Sequence, residues 1–240
     1  MTTPEPLAAH GTAAVAATPA FDTVSALLHS RYSCRAFLPE PLPRATIERI
    51  LAAAQRTASW CNAQPWQLHI ASGATLDALR TALQARVAGA PPMPDLPWPR
   101  EYRGVYQERR RECGLGLYDA VGIARGDRAA SALQAAQNFT MFGAPHVAIV
   151  TSDEALGTYG AVDCGAYVAN FLLAAQSLGV ASIAQAALAA YPDVLREVLG
   201  IGADRTVVCA ISFGTADTAH PANRFRTTRA AVGDSVVWHD

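Results

Sequence analysis

Arg31-Tyr32-Ser33-Cys34-Arg35-Ala36-Phe37 is the stretch from which the rest of the chain can be read. Two arginines flank a serine at alternate positions, after an apolar segment (Val24, Ala26, Leu27, Leu28) and before a turn bounded by Pro39 and Pro41. In extended backbone alternate side chains leave on the same side, so Arg31, Ser33 and Arg35 can meet one anionic group. A guanidinium offers parallel donors in a planar fork that fits phosphate or carboxylate oxygens. Taken by itself, the heptad is also what a solvated basic turn looks like.

Working outward, residues 21–29 read as a short helix, with Asp22 or Thr23 available as its cap. Pro43 can open a second helix running to about Arg56, whose buried stripe is Ile47, Ile50, Leu51 and Ala54. Residues 58–66 form a polar loop, and 66–70 alternate apolar with polar as a half-buried strand does, stopping at Ser72-Gly73. An amphipathic helix is expected over 75–87. Residues 90–103 hold five prolines and Trp98, which marks a long loop of the kind used as a lid or binding segment. Charged residues in the middle of 101–118 predict a surface helix, and 128–139 another. A buried strand follows at 145–151. Residues 164–191 carry no charge, yet Asn170, Gln176, Ser177, Gly179 and Gln185 interrupt them. The segment 160–178 is therefore read as a central helix buried on nearly every side, not a membrane span. A short helix at 192–199, a buried strand at 206–213 and a strand-like end at 235–238 complete the pattern. The expected fold class is α+β: a small mixed or antiparallel sheet flanked by helices in a single domain over 21–240, after a poorly ordered leader over 1–20.

Composition narrows the function. The net charge of −1 over 240 residues argues against a dedicated nucleic-acid binder. All 19 basic residues are arginine, which removes Schiff-base lysine chemistry and lysine-bearing phosphate loops. Cysteines at 34, 61, 113, 164 and 209 are odd in number and contain no Cys-x-x-Cys pair. Free thiols in a reducing cytosol fit this better than disulfides or a metal site. The chain contains no His-Glu-x-x-His, no Gly-x-Ser-x-Gly and no Walker-type loop, and Gly114-Leu115-Gly116 lacks the third glycine of a dinucleotide fingerprint.

What remains is a set of parts suited to a phosphorylated ring compound. Arg31 and Arg35 near one end are matched by Arg224, Arg226 and Arg229 near the other. Between them, Ser59-Trp60-Cys61-Asn62-Ala63-Gln64-Pro65-Trp66 is dense in donors, acceptors and aromatic surface. Asn62 and Gln64 can equally be amides that stabilise the loop, and Trp66 can be core.

These segments, with Gly143-Ala144-Pro145-His146, Leu178-Gly179-Val180-Ala181-Ser182-Ile183-Ala184-Gln185, Ile211-Ser212-Phe213-Gly214 and Arg226-Thr227-Thr228-Arg229, resemble in order and content the nitroreductase family of flavin-dependent oxidoreductases. The resemblance covers about residues 21 to 240 and is strongest to members that reduce nitrobenzoates and related nitroaromatics. It implies a homodimer with FMN at the subunit interface, a C-terminal extension contributing to the dimer, and ping-pong use of NADH or NADPH and a small aromatic acceptor. By that resemblance Arg31, Tyr32, Ser33 and Arg35 hold the phosphate and ribityl side, and Arg226 and Arg229 close from the tail. Ser59, Trp60 and Asn62 approach from the partner subunit, Gln64 belongs to the same cofactor-binding set, and Ala184, Gln185 and Ala186 lie beside the ring. No protein acid, base or nucleophile is implied, because the flavin carries the hydride. Trp60 stands where many members have a small hydroxyl residue, and the tail uses arginine where some use lysine. Other members of the fold, such as reductive dehalogenases and dehydrogenases, and a flavin-binding protein without turnover remain alternatives. No nucleic-acid or membrane partner is expected, and the expected compartment is the cytoplasm.

Overall fold

The computed structural model describes residues 16–239. Its frame is an antiparallel sheet of four strands in the order β1-β2-β4-β3: β1 Gln67–Ser72, β2 His146–Asp153, β3 Ala181–Gln185 and β4 Arg205–Gly214. Register is fixed by pairs such as His69 with Ile149, Ala148 with Ile211, and Ile183 with Ser212. In β2, the apolar run Val147-Ala148-Ile149-Val150 is buried on both faces, which is why it reads as continuous rather than alternating.

Successive β2 residues feed two separate cores. Val147 and Ile149 join Leu76, Leu79 and Leu83 of α3 (Gly73–Gly89) and Val194 and Leu195 of α7 (Pro192–Leu199). Ala148 and Val150 face the other way, onto Ile47, Ile50 and Ala54 of α2 (Arg44–Ala54) and onto α6 (Gly157–Ser177). The α+β architecture, with helices on both faces of a small sheet, matches the expectation. Leu51 of the expected α2 stripe is only partly buried against this second core.

Several elements depart from their sequence pattern. α1 spans Pro19–Ser30, and its cap is Thr18, whose Oγ1 accepts from the Phe21 N–H at 3.2 Å, not Asp22 or Thr23. The helix thus begins inside the expected leader, the first part of which lies outside the described residues. α6 is buried along one stripe only: Gly160, Cys164, Tyr167, Phe171 and Ala175. Its opposite face, including Tyr159 and Val162, is exposed in the single chain, so the expectation of burial on nearly every side is corrected. Among the described residues no helix is long and apolar enough to cross a membrane. The tail ends in a 3-10 turn at Val232–Asp234 in place of the expected strand, since the alternation of Ser235-Val236-Val237-Trp238 finds no strand to pair with. α4 starts at Val105 (Val105–Ala120), after Gly104 at φ +51°, and α5 ends at Ala136 (Arg128–Ala136), where a 3-10 segment takes over.

The proline-rich loop between α3 and α4 is tied to the body in its first half. The Met93 N–H donates to Ala190 O at 2.9 Å. Asp95 receives both terminal nitrogens of Arg196 (3.2 and 2.7 Å) and the Val207 N–H (2.8 Å). β3 pairs with β4 no further than Ala210, so Asp95 satisfies a donor on the stretch of β4 that lacks a neighbour there.

Candidate functional site

The heptad lies along the free edge of β3. Ser33 bridges Ser182 in parallel, and the Cys34 N–H donates to Ser182 O at 3.1 Å. Beyond it, Phe37 bridges Ala216 and the Leu38 N–H reaches Thr215 O at 2.9 Å, so the same strand-like segment also borders the chain leaving β4. Cys34 and Ala36 are buried, which leaves Arg31, Ser33 and Arg35 on the other side, as the alternation requires; Phe37, on the arginines' parity, is buried as well, so the alternation ends there.

The tail returns to this edge. The Arg226 guanidinium lies 3.7 Å from the centre of the Tyr32 ring, a cation–π contact worth about 0.5–1 kcal/mol where exposed. Its Nη1 donates to Asn223 O and Phe225 O at 2.7 and 2.9 Å. Arg35 folds back, donating to Ser33 O at 3.2 Å. Burial, and next to it the positive charge of Arg229, holds the Arg31 guanidinium below its ordinary pKa. Burial lowers that of Arg35 as well. Among the described residues, none of Arg31, Arg35, Arg226 and Arg229 enters an ion pair with a carboxylate. Four guanidiniums gathered from both ends of the chain, two of them desolvated and none neutralised, suit a dianion such as a phosphate monoester.

The third expected segment meets the heptad through β3. Gln185 is buried, with its amide nitrogen donating to Asn138 O and Oδ1 (both 3.1 Å) and its Oε1 accepting from the Ser212 hydroxyl at 2.5 Å. Its side chain is therefore saturated inside the protein. Ala184 and Ala186, on either side, are exposed, so this edge offers a ligand methyl groups and backbone only. A cavity of about 800 Å³ between α4 and the tail is lined by Arg109, Glu112, Cys113, Phe225, Arg226 and Arg229.

The Ser59–Gln64 loop is not brought to this cluster within one chain. Trp60 stands edge-on to Tyr159 of α6, ring centres 4.4 Å apart, and its backbone N–H donates to Asp163 Oδ2 at 3.1 Å. Ser59 Oγ accepts from the Gln64 N–H at 2.9 Å, and the Gln64 amide bonds Gln55 and the Asn62 carbonyl. Cys61, Asn62 and Gln64 all have φ near +50°, a conformation that costs of order 1 kcal/mol or more each and persists only where surroundings enforce it. Trp66 belongs to the core, tilted against Tyr167.

Two polar anchors escaped the sequence reading. Asn138 holds Gln185, and Asn223 bonds both the heptad and the tail. Asn223 follows Pro221 in a 3-10 turn, and that proline was its one local signal.

The chain is an α+β domain whose four-stranded antiparallel sheet carries, along the free edge of β3, arginines that enter no ion pair among the described residues. The family model described as Nitroreductase family matches residues 28–215. The chain is 35% identical over 211 residues to nitroreductase NfnB of Mycolicibacterium smegmatis, covering 87% of this chain and 89% of the relative. It is 32% identical over 231 residues to a 4-nitrobenzoate reductase of Nocardioides sp., covering 93% and 94%. The crystal structure of the FMN-dependent nitroreductase NfnB from Mycobacterium smegmatis in complex with NADPH superposes with a TM-score of 0.87 at 33% identity, covering 91% of this chain and 99% of that one. The chain belongs to the nitroreductase family.

Proposed function

We propose that this protein is an FMN-dependent oxidoreductase that uses NAD(P)H to reduce nitroaromatic acceptors of the nitrobenzoate type. The observation that carries the reading is the group of four arginines, contributed by the heptad and the tail, none of which forms an ion pair among the described residues. Arg31, Arg35, Arg226 and Arg229 hold the cofactor's phosphate, with Tyr32 and Ser33 beside them. Bound there, FMN would supply the hydride chemistry between a nicotinamide donor and the acceptor. The chain's own part is to bind and orient: Ala184, Gln185 and Ala186 give the ring a flat backbone edge, and the guanidiniums neutralise the phosphate. The relatives' names, which specify FMN, NADPH and 4-nitrobenzoate, support this choice of cofactor and acceptor class.

The active form is a homodimer. α1 has no buried residue in the single chain, and its apolar stripe Phe21, Val24 and Leu28 is about half or more exposed (63, 49 and 56%). The start of α6, a helix that α1 touches, also exposes Tyr159 and Val162. Such exposed apolar faces need a cover, and a second copy provides it. Ser59, Trp60, Asn62 and Gln64, remote from their own chain's arginines, then serve the site across the interface. Residues from α1 onward act as one FMN-binding domain, and the five free thiols suit a reducing cytoplasm.

The test is direct. The purified protein should show flavin absorption that bleaches with NADPH or NADH under anaerobic conditions and returns on adding 4-nitrobenzoate. A colourless protein that stays so after incubation with FMN refutes the reading.

A further inference from the structure

Arg35 and Arg226 stand nearly two hundred residues apart in the chain, and one residue bonds both the backbone of the first and the guanidinium of the second. Asn223 is only 4% exposed and every polar atom it carries is engaged. Its Oδ1 accepts the Arg35 N–H at 2.7 Å. Its amide nitrogen donates to Ala36 O and Asp217 O, both at 2.8 Å. Its own N–H donates to His220 O at 3.0 Å, and its carbonyl accepts Arg226 Nη1 at 2.7 Å. One residue thus fixes the backbone beneath one arginine and the guanidinium of the other.

The next residues complete the seat. Phe225 rests on Gly116 of α4, so closely that a Cβ there would stand 2.7 Å from Phe225 Cε2. Fixed by Asn223 before it and by Phe225 beneath it, Arg226 projects over Tyr32 at 3.7 Å. Without these anchors the tail from Thr227 onward has few ties: Arg229 bonds only Thr227 and Thr228.

We infer that Asn223 is the positioning residue of the anion cradle, aligning Arg35 and Arg226 so that both address one phosphate, with the Phe225–Gly116 contact as its support. Asn223 touches no ligand itself. The inference rests on the reading that these arginines hold the FMN phosphate. Preorganised donors bind more tightly because they lose less freedom on binding. Loosening the turn should therefore weaken recognition of the phosphate and leave the affinity for the ring unchanged.

The experiment compares FMN with riboflavin, which lacks the phosphate, by fluorescence titration of full-length apoprotein of wild type, Asn223→Ala and Phe225→Ala. Wild type should prefer FMN strongly. Asn223→Ala should lose at least tenfold of that preference with riboflavin affinity unchanged, and Phe225→Ala should lose part of it. Because Asn223→Ala leaves buried groups unpaired and can fail to fold, Phe225→Ala, which keeps every Asn223 bond, then decides alone. A folded variant that loses affinity for both flavins in parallel, or that keeps the wild-type ratio, overturns the positioning role. A wild type with equal affinity for both flavins refutes the phosphate site itself, a result distinct from failure of the positioning role.

Discussion

Replacing Arg31 with glutamine should make the apoprotein more stable and the holoprotein less well formed. Arg31 is partly desolvated and sits in the field of Arg229, and both influences lower its pKa. Its charge is therefore unfavourable until an anion arrives. The repulsion is screened because the side chain is only partly buried, so its removal is worth about 0.5 kcal/mol, the scale of a surface pair of opposite sign. For a chain of this size that corresponds to a rise of about 1–2 °C in melting temperature. The same substitution deletes one charge-assisted contact to phosphate, worth roughly 1.5–3 kcal/mol, or about ten- to a hundredfold in Kd. Scanning calorimetry of apoprotein and FMN titration of both forms measure the two effects. Raising ionic strength to about 1 M, where the screening length falls to roughly 3 Å, should erase the stability gain. A variant that melts lower as apoprotein and binds FMN as wild type does would show that Arg31 is a structural residue, and the cradle argument would lose its first member.

Three further outcomes follow from other parts of the fold. His146 is buried, its Nε2 accepts the Leu42 N–H at 2.8 Å and Nδ1 meets Ser72 Oγ at 2.5 Å, so the folded state holds the neutral Nδ1–H tautomer and burial lowers the pKa. The unfolded chain then binds more protons below about pH 6.5, so this stabilisation is complete above that value and is lost as pH falls toward the depressed one; urea midpoints should decline over that range, and less steeply in His146→Gln. Leu28→Glu puts a charge on the uncovered α1 stripe and should shift sedimentation from dimer to monomer; an unchanged dimer would remove α1 from the interface. Asp95→Ala leaves the Val207 N–H and Arg196 without their carboxylate and should cost about 2 kcal/mol, or roughly 4–8 °C, in thermal melts.

The parts legible in the sequence are those whose signal is local. The alternation in the heptad, the prolines at 43 and 192 and the apolar run of β2 state their own structure, because backbone period and turn chemistry act over a few residues. β3 was hidden because Ala181–Gln185 continues the uncharged run of α6 without a change in composition. Its strand character comes from pairing with β4. α6 was over-read for a related reason: apolar residues cover it all round, but one chain buries only the Gly160–Ala175 stripe. The strand-like tail lacks a partner to pair with. Asn223 shows the limit most clearly, since its bond to Arg35 spans 188 residues and nothing in the residues around either end specifies the other.

That long bond also explains why an anion site can be assembled from the two ends of a chain. Ser33 is matched to Ser182, the Asp217 N–H donates to Ala36 O, Phe37 is matched to Ala216, and the Leu38 N–H donates to Thr215 O. Residues 33–38 therefore act as a short strand-like segment that borders β3 and clasps the chain as it leaves β4. Backbone bonds of this kind demand the alternation that turns Cys34 and Ala36 inward and Ser33 and Arg35 outward. The register that buries Cys34 and Ala36 is then the register that turns Ser33 and Arg35 to the other side, and a slip by one residue would exchange the two sets. The pairing that holds these residues in the fold is thus also the pairing on which the proposed phosphate site depends, and the Asn223 turn ties Arg226 of the tail to it.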